Sequence, residues 1–151
     1  MRKPDNILRQ TTVAAIKRKA MMLHQWELTR LYETDSFDAP DLIKKDLNLK
    51  ENELPVASTI AKPTEWTFVT TKKVIGRTSN GLIDINMNDI EKWSWGDFKG
   101  KFGEPTTKMS LTTADGQKKD FIIESGKASM VMIYAVKTLK QLLRENQKNG
   151  G

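Results

Sequence analysis

The chain has 151 residues, with 25 Lys/Arg against 19 Asp/Glu, a formal net charge of +6 and no cysteine. This length suits one domain of ordinary size with room for an appended segment, and it can bury a hydrophobic core. The lack of cysteine excludes a disulfide framework and thiolate chemistry.

Charge is unevenly distributed along the chain. Residues 1–30 carry seven Lys/Arg and two acids, residues 31–60 carry three lysines and seven acids, and the remainder carries fifteen basic and ten acidic residues. These blocks could pair internally or present a basic face to an anionic partner. They could also form an ordinary mixed, solvated surface. No apolar run approaches the ~20 residues that span a bilayer or forms a signal-peptide core, so we expect a cytoplasmic protein.

The first third of the chain predicts helices. Residues 6–33 carry apolar side chains at helical spacing and contain no Gly or Pro, which predicts one amphipathic helix. A short helix is predicted after Pro40, with Leu42, Ile43 and Leu47 on its apolar side. Residues 48–52 are predicted to be a linker.

From residue 53 the hydrophobic period changes to two, which predicts antiparallel strands. About seven are expected, within residues 54–60, 66–71, 74–78, 82–85, 90–98, 108–113 and 119–123. Asn80-Gly81 predicts a type I′ hairpin turn, because both residues readily adopt positive φ. From residue 125 apolar side chains recur at intervals of three and four, which predicts an amphipathic C-terminal helix.

The order of these motifs resembles that of the bacterial PH-like (pleckstrin-homology-like, GRAM-like) domains, over roughly residues 54–145. The resemblance is carried by an apolar strand ending in Thr-x-Lys with its return strand, an Asp-Ile pair entering a strand, and a T-x-D-G hairpin followed by Phe: Phe68–Ile75, Gly81–Ile85, Asn88–Trp93, Leu111–Gly116 and Phe121. It implies an α+β fold, a PH-like antiparallel β roll or barrel capped by a C-terminal helix. Residues 1–52 then form an N-terminal helical extension, and residues 53–148 the PH-like domain.

The resemblance also implies binding rather than catalysis, with lipid head groups as the ligands of some members and peptides or proteins as those of many others. Phosphoinositide-binding members carry several basic residues in the turn after the first strand. Here that turn, residues 61–65, offers Lys62 and Glu65 as its charged residues. Recognition of inositol phosphates is therefore not expected.

The sequence contains no recognisable catalytic, cofactor or metal constellation. His24 is the only histidine, so His/Cys metal sets are excluded. Carboxylates at turns or strand ends, where Asp is favoured for backbone reasons, are Asp84, Asp89, Asp97, Asp115 and Asp120. We therefore expect a protein that is not an enzyme and holds no cofactor or metal.

Aromatic and basic residues interleave between residues 93 and 102, and this segment is the candidate partner-binding site. Its members are Trp93, Trp95, Phe98, Lys99, Lys101 and Phe102. Such a surface could anchor a protein partner or stack nucleic-acid bases beside phosphate contacts. Alternatively, the two tryptophans belong to the core and the lysines lie in a solvated loop.

Two basic clusters form a second candidate site, for an anionic ligand such as a membrane lipid surface or nucleic acid. They comprise Lys17, Arg18, Lys19, Lys72, Lys73 and Arg77. The alternative is a helix that packs on its own domain and exposes its charges to water. We predict a non-enzymatic cytoplasmic module that binds a protein partner, such as an adaptor or immunity-type protein, with anionic-ligand binding as the alternative. The sequence leaves the partner and the oligomeric state open.

Overall fold

The computed structural model describes residues 4–19, 26–34, 39–96 and 103–150, without the side chains of residues 146–150. The elements in chain order are α1 (Asp5–Lys19), β1 (Thr29–Leu31), α2 (Asp41–Leu47), β2 (Pro55–Lys62), β3 (Glu65–Thr70), β4 (Lys73–Thr78), β5 (Gly81–Asn86), β6 (Ile90–Trp95), β7 (Thr106–Thr113), β8 (Lys118–Glu124) and α3 (Ser129–Gly150). One 3₁₀ turn, Met87–Asp89, joins β5 to β6, and another, Gly126–Ala128, precedes α3.

The strands form two antiparallel sheets, so the predicted α+β class and the antiparallel arrangement are confirmed. The first sheet has the order β1-β2-β3-β4-β5, and the second has the order β6-β7-β8. Within the described ranges there are thus eight strands, one more than expected, and no hydrogen-bonded ladder joins the two sheets. Closure into a barrel therefore stays a prediction.

The hairpin between β4 and β5 is present where the sequence predicts it, but its turn differs from the prediction. Thr78 pairs with Gly81, and Gly81 has φ +112°. In the described chain, the non-glycine residues with positive φ are Asn48 and Asn52, so Asn80 does not adopt the conformation of a type I′ turn. Gly81 alone takes the positive φ, which costs glycine little because it has no Cβ.

The main core lies between the two sheets and the two long helices. The apolar stripe of α3 enters it as predicted. The eight buried residues of α3 in this core are Val131, Met132, Ile133, Ala135, Val136, Leu139, Leu142 and Leu143. From α1, Leu8, Val13 and Ile16 join the same cluster. The N-terminal helix therefore packs on α3 within one chain.

The single helix predicted over residues 6–33 is wrong in its extent, because residues 29–31 form strand β1. In β1, Thr29 pairs with Thr59 and Leu31 with Ala57 of β2. The predicted division at residue 52 thus separates two strands that pair in one sheet. Helical spacing of apolar residues did not reveal β1, since three residues are too few to show a period.

A second, smaller core covers the opposite face of the first sheet, and we call it the outer core. It contains Tyr32, Ala39, Ile43, Leu47, Trp66, Phe68 and Ile75. The ring of Phe68 stacks on Tyr32 at 5.6 Å between centroids and meets Trp66 edge-on at 5.7 Å. Strand β3 is therefore buried on both faces, with alternate residues pointing to each core.

Candidate functional site

Trp93 and Trp95, the first two residues of the predicted partner site, lie on the core-facing side of β6. They pair with the buried Leu111 and Met109 of β7. Both indoles pack against the main core, yet both are only half-buried. The other four members of the predicted site, Phe98, Lys99, Lys101 and Phe102, lie outside the described residues.

A β-bulge sets the direction of the two tryptophans. The register shifts between Ile90 and Lys92, so β6 holds one residue more than β7 at this point. Ile90 and Trp93 consequently face the same side despite their odd spacing, whereas Glu91 and Lys92 are exposed. The bulge thus allows a buried Ile90 and two inward-facing tryptophans on one short strand.

Gly96 continues the pairing of β6 beyond Trp95. Its amide donates to the carbonyl oxygen of Lys108 at 2.9 Å. A Cβ at this position would lie 2.6 Å from Oγ1 of Thr107, closer than real contacts allow. Because Gly96 has no side chain, this end of β6 can lie close to β7, and the pairing of the two strands continues past Trp95.

β6 is an edge strand, because its hydrogen-bonded neighbour in the described sheet is β7 alone. Its other edge presents backbone donors and acceptors without a ladder partner among the described strands. Trp93 and Trp95, which we call the edge tryptophan pair, stand two residues apart on this strand. A free edge beside two half-buried indoles is suited to strand addition with aromatic anchoring.

The six cations of the predicted anionic site are not brought together. Lys72 lies 3.5 Å from Asp5 at the start of α1, whereas Lys17, Arg18 and Lys19 end that helix, about 20 Å away at 1.5 Å per residue. Arg77 points to the outer side of the first sheet, where it pairs with Asp46 of α2 at 2.8 Å. The six cations therefore lie on different parts of the structure, and their role in binding an anion stays a prediction.

Four of these cations have acidic partners within the chain. Lys17 pairs with Glu33, Lys72 with Asp5, Lys73 with Glu53 and Arg77 with Asp46. In the described ranges, Arg18 and Lys19 have no such partner and are exposed.

The acids that neutralise Lys72 and Lys73 also bind the threonines beside them. Thr70 Oγ1 donates to Glu53 at 2.5 Å, and Thr71 Oγ1 donates to Asp5 at 2.6 Å. Both carboxylates are buried, so they need these partners to offset the cost of leaving water. The turn between β3 and β4 is thereby tied to the N-terminal segment, a role that sequence reasoning missed.

Glu124, the last residue of β8, is a third buried acid that the sequence did not single out. Its carboxylate accepts hydrogen bonds from the backbone amides of Glu27 at 3.0 Å and Leu28 at 2.9 Å. It also accepts one from Thr29 Oγ1 at 2.7 Å. Because these donors are consecutive residues at the start of β1, the carboxylate fixes the position of this strand. The role of Glu124 is therefore structural.

Of the Asp residues that the sequence places at turns or strand ends, Asp115 and Asp120 each accept a hydrogen bond from a nearby hydroxyl. In the β7–β8 turn, the pKa of Asp115 lies below its ordinary value, chiefly because Thr113 Oγ1 donates to it. Asp120 accepts from Ser110 Oγ at 2.6 Å, and Asp97 lies outside the described residues. In the part of the chain that is described, no three His, Cys, Asp or Glu side chains form a metal-binding group.

No helix in the described ranges is both long and apolar enough to cross a bilayer. A comparison of the chain with protein-family models and with curated proteins finds no match.

Proposed function

We propose that this chain is a non-enzymatic, cytoplasmic binding module with a PH-like fold, and that its ligand is a protein. The PH-like assignment is supported by the element order. Four consecutive antiparallel strands, β2–β5, are followed by three more, β6–β8, and then by α3. In this proposal α1, β1 and α2 are additions that cover one end and the outer face of the roll.

The observation that carries the protein-binding proposal is the edge tryptophan pair. An extended segment of the partner adds to the free edge of β6 through backbone hydrogen bonds, which supply affinity. Trp93 and Trp95 anchor its side chains, since tryptophan is enriched among residues that dominate binding energy. An adaptor or an immunity-type protein would use such a surface.

The test is capture of a partner from the native cytoplasm by the tagged, nuclease-treated protein, read by mass spectrometry. The experiment compares wild type with the double variant Trp93→Ala/Trp95→Ala and with Leu42→Ala. The Leu42→Ala control removes an exposed apolar side chain that is distant from β6 in the sequence. We expect one stoichiometric protein that survives about 1 M salt, because screening weakens ionic contacts far more than apolar ones. It should be lost with the double variant and kept with Leu42→Ala.

Capture of the same partner by the double variant, with the fold of that variant verified by circular dichroism, would refute the role of the tryptophans. Material that disappears with nuclease or salt would favour the alternative function, an anionic ligand. That alternative is supported by Arg18 and Lys19, the two predicted cations that no described carboxylate neutralises.

A further inference from the structure

Arg18 and Lys19 line a groove between α1 and α3, and we call it the helix groove. It has a volume of about 400 Å³, within the range of small-ligand sites. Its walls are Thr11, Ala15, Arg18 and Lys19 from α1, and Tyr134, Lys137, Thr138, Gln141 and Leu142 from α3. On each helix these residues recur at intervals of three and four, so each wall is a continuous strip along one helix face.

Because of Lys137, the positive charge of the groove does not come from the basic end of α1 alone. Arg18 and Lys19 stand in the last turn of α1, where cations already interact favourably with the helix dipole. Lys137 lies in the interior of α3 and has no such role. Its Nζ lies 5.8 Å from the centre of the Tyr134 ring, a cation–π contact beside the groove.

The groove has a uniform charge. Among the described residues, no Asp or Glu lines it and no carboxylate pairs with Arg18, Lys19 or Lys137. The acidic residue of α1 is Asp5, whose carboxylate accepts a hydrogen bond from Thr71 and pairs with Lys72. On α3 the described acidic side chain is Glu145, which accepts from Gln141 Nε2 at 3.4 Å. Three exposed cations that no described carboxylate neutralises create a positive potential that attracts an anion.

We propose that the helix groove binds a phosphate group. The Arg18 guanidinium offers parallel N–H donors that match phosphate oxygens, and the two lysines add point charges. Thr11 and Thr138 provide hydroxyl donors on the two walls. Ala15 and the buried Leu142 form an apolar part of the lining, so the phosphate is attached to a larger body. This proposal rests on the anionic-ligand alternative and is independent of the edge tryptophan pair.

The experiment compares wild type with two triple variants of equal charge. Arg18→Gln/Lys19→Gln/Lys137→Gln removes the groove cations, and Lys45→Gln/Lys62→Gln/Lys127→Gln removes three exposed lysines elsewhere. Amide chemical shifts are followed during titration with sodium pyrophosphate at constant ionic strength. Vesicles of phosphatidylcholine, with and without about 20 mol% phosphatidic acid, are tested in parallel by sedimentation.

We expect saturable shifts of amides in the two groove walls, with affinity at least about tenfold weaker in the groove variant and nearly unchanged in the control. Pyrophosphate binding without vesicle binding identifies a soluble phosphate ligand, and vesicle binding with the same dependence identifies a lipid head group. The proposal is overturned if wild type binds neither probe, or if both triple variants lose binding equally. The groove variant retains Trp93 and Trp95, so it should capture the protein partner as the wild type does. Failure of phosphate binding can therefore be distinguished from failure of protein binding.

Discussion

Glu124 accepts a hydrogen bond from Thr29 at 2.7 Å, although the two residues are 95 positions apart in the chain. Thr29 Oγ1 also lies 3.1 Å from Thr59 Oγ1 on β2. One carboxylate at the end of the second sheet therefore holds the edge strand of the first. This contact joins the N-terminal segment to both sheets.

Glu124→Ala should destabilise the fold by about 3 kcal/mol, because two backbone amides and a threonine hydroxyl lose their shared acceptor in a largely buried place. Urea unfolding measures this loss. Glu124→Gln keeps one acceptor oxygen and should cost about half as much. Hydrogen exchange at the amides of Glu27 and Leu28 should accelerate in the Ala variant. Unchanged exchange there would contradict the role of Glu124 as their acceptor.

Helix α2 offers a matched pair of substitutions that tests the outer core. Ile43 is 0% exposed and Leu42 is 65% exposed, although the two are adjacent. Ile43→Ala should lower the free energy of unfolding by about 2–4 kcal/mol, because it leaves a cavity against the first sheet. Leu42→Ala should change it by less than about 0.5 kcal/mol. Equal effects in urea unfolding would show that α2 does not cover the sheet.

Gly76 on β4 should not tolerate a methyl group. A Cβ there would lie 2.9 Å from the carbonyl oxygen of Trp66 and 3.0 Å from the ring of Phe121. The carbonyl belongs to the neighbouring strand and cannot move without disturbing the ladder. Gly76→Ala should therefore cost about 1–3 kcal/mol. The reference substitution is Ser94→Ala at an exposed strand position, and a Gly76 variant as stable as this reference would refute the close packing.

The pKa of Asp115 should depend on Thr113. The hydroxyl of Thr113 donates to the Asp115 carboxylate and holds its pKa below the ordinary 3.8. Because the folded-state pKa is the lower one, the stabilisation is present above the unfolded value and is lost as the pH falls through the folded value. Thr113→Val should raise the pKa of Asp115 toward 3.8 in a carbon-13 NMR titration. An unaltered titration curve in the variant would show that Thr113 does not cause the lowered pKa of Asp115.

Local periodicity determined much of this fold. Trp66 and Phe68 share one face of β3 and Val69 takes the other, as alternation predicts, and the stripe of α3 from Val131 to Leu143 is buried as spacing predicts. These features follow from side-chain order within one element, which the sequence contains directly. Alternation also placed Trp93 and Trp95 on one face, as the structure shows, whereas their role in binding a partner stays a prediction.

Contacts distant in sequence were decided only by the tertiary structure. Strand β1 is three residues long and depends on Thr59 and Glu124, so no local pattern marks it. Lys72 and Lys73 form a basic pair in the sequence, but Asp5 and Glu53 neutralise them once the chain folds. Conversely, Arg18 and Lys137, more than a hundred residues apart, line one groove because α1 packs on α3. The charge of a side chain is fixed by its residue type, whereas its availability depends on which groups folding brings within a few ångströms.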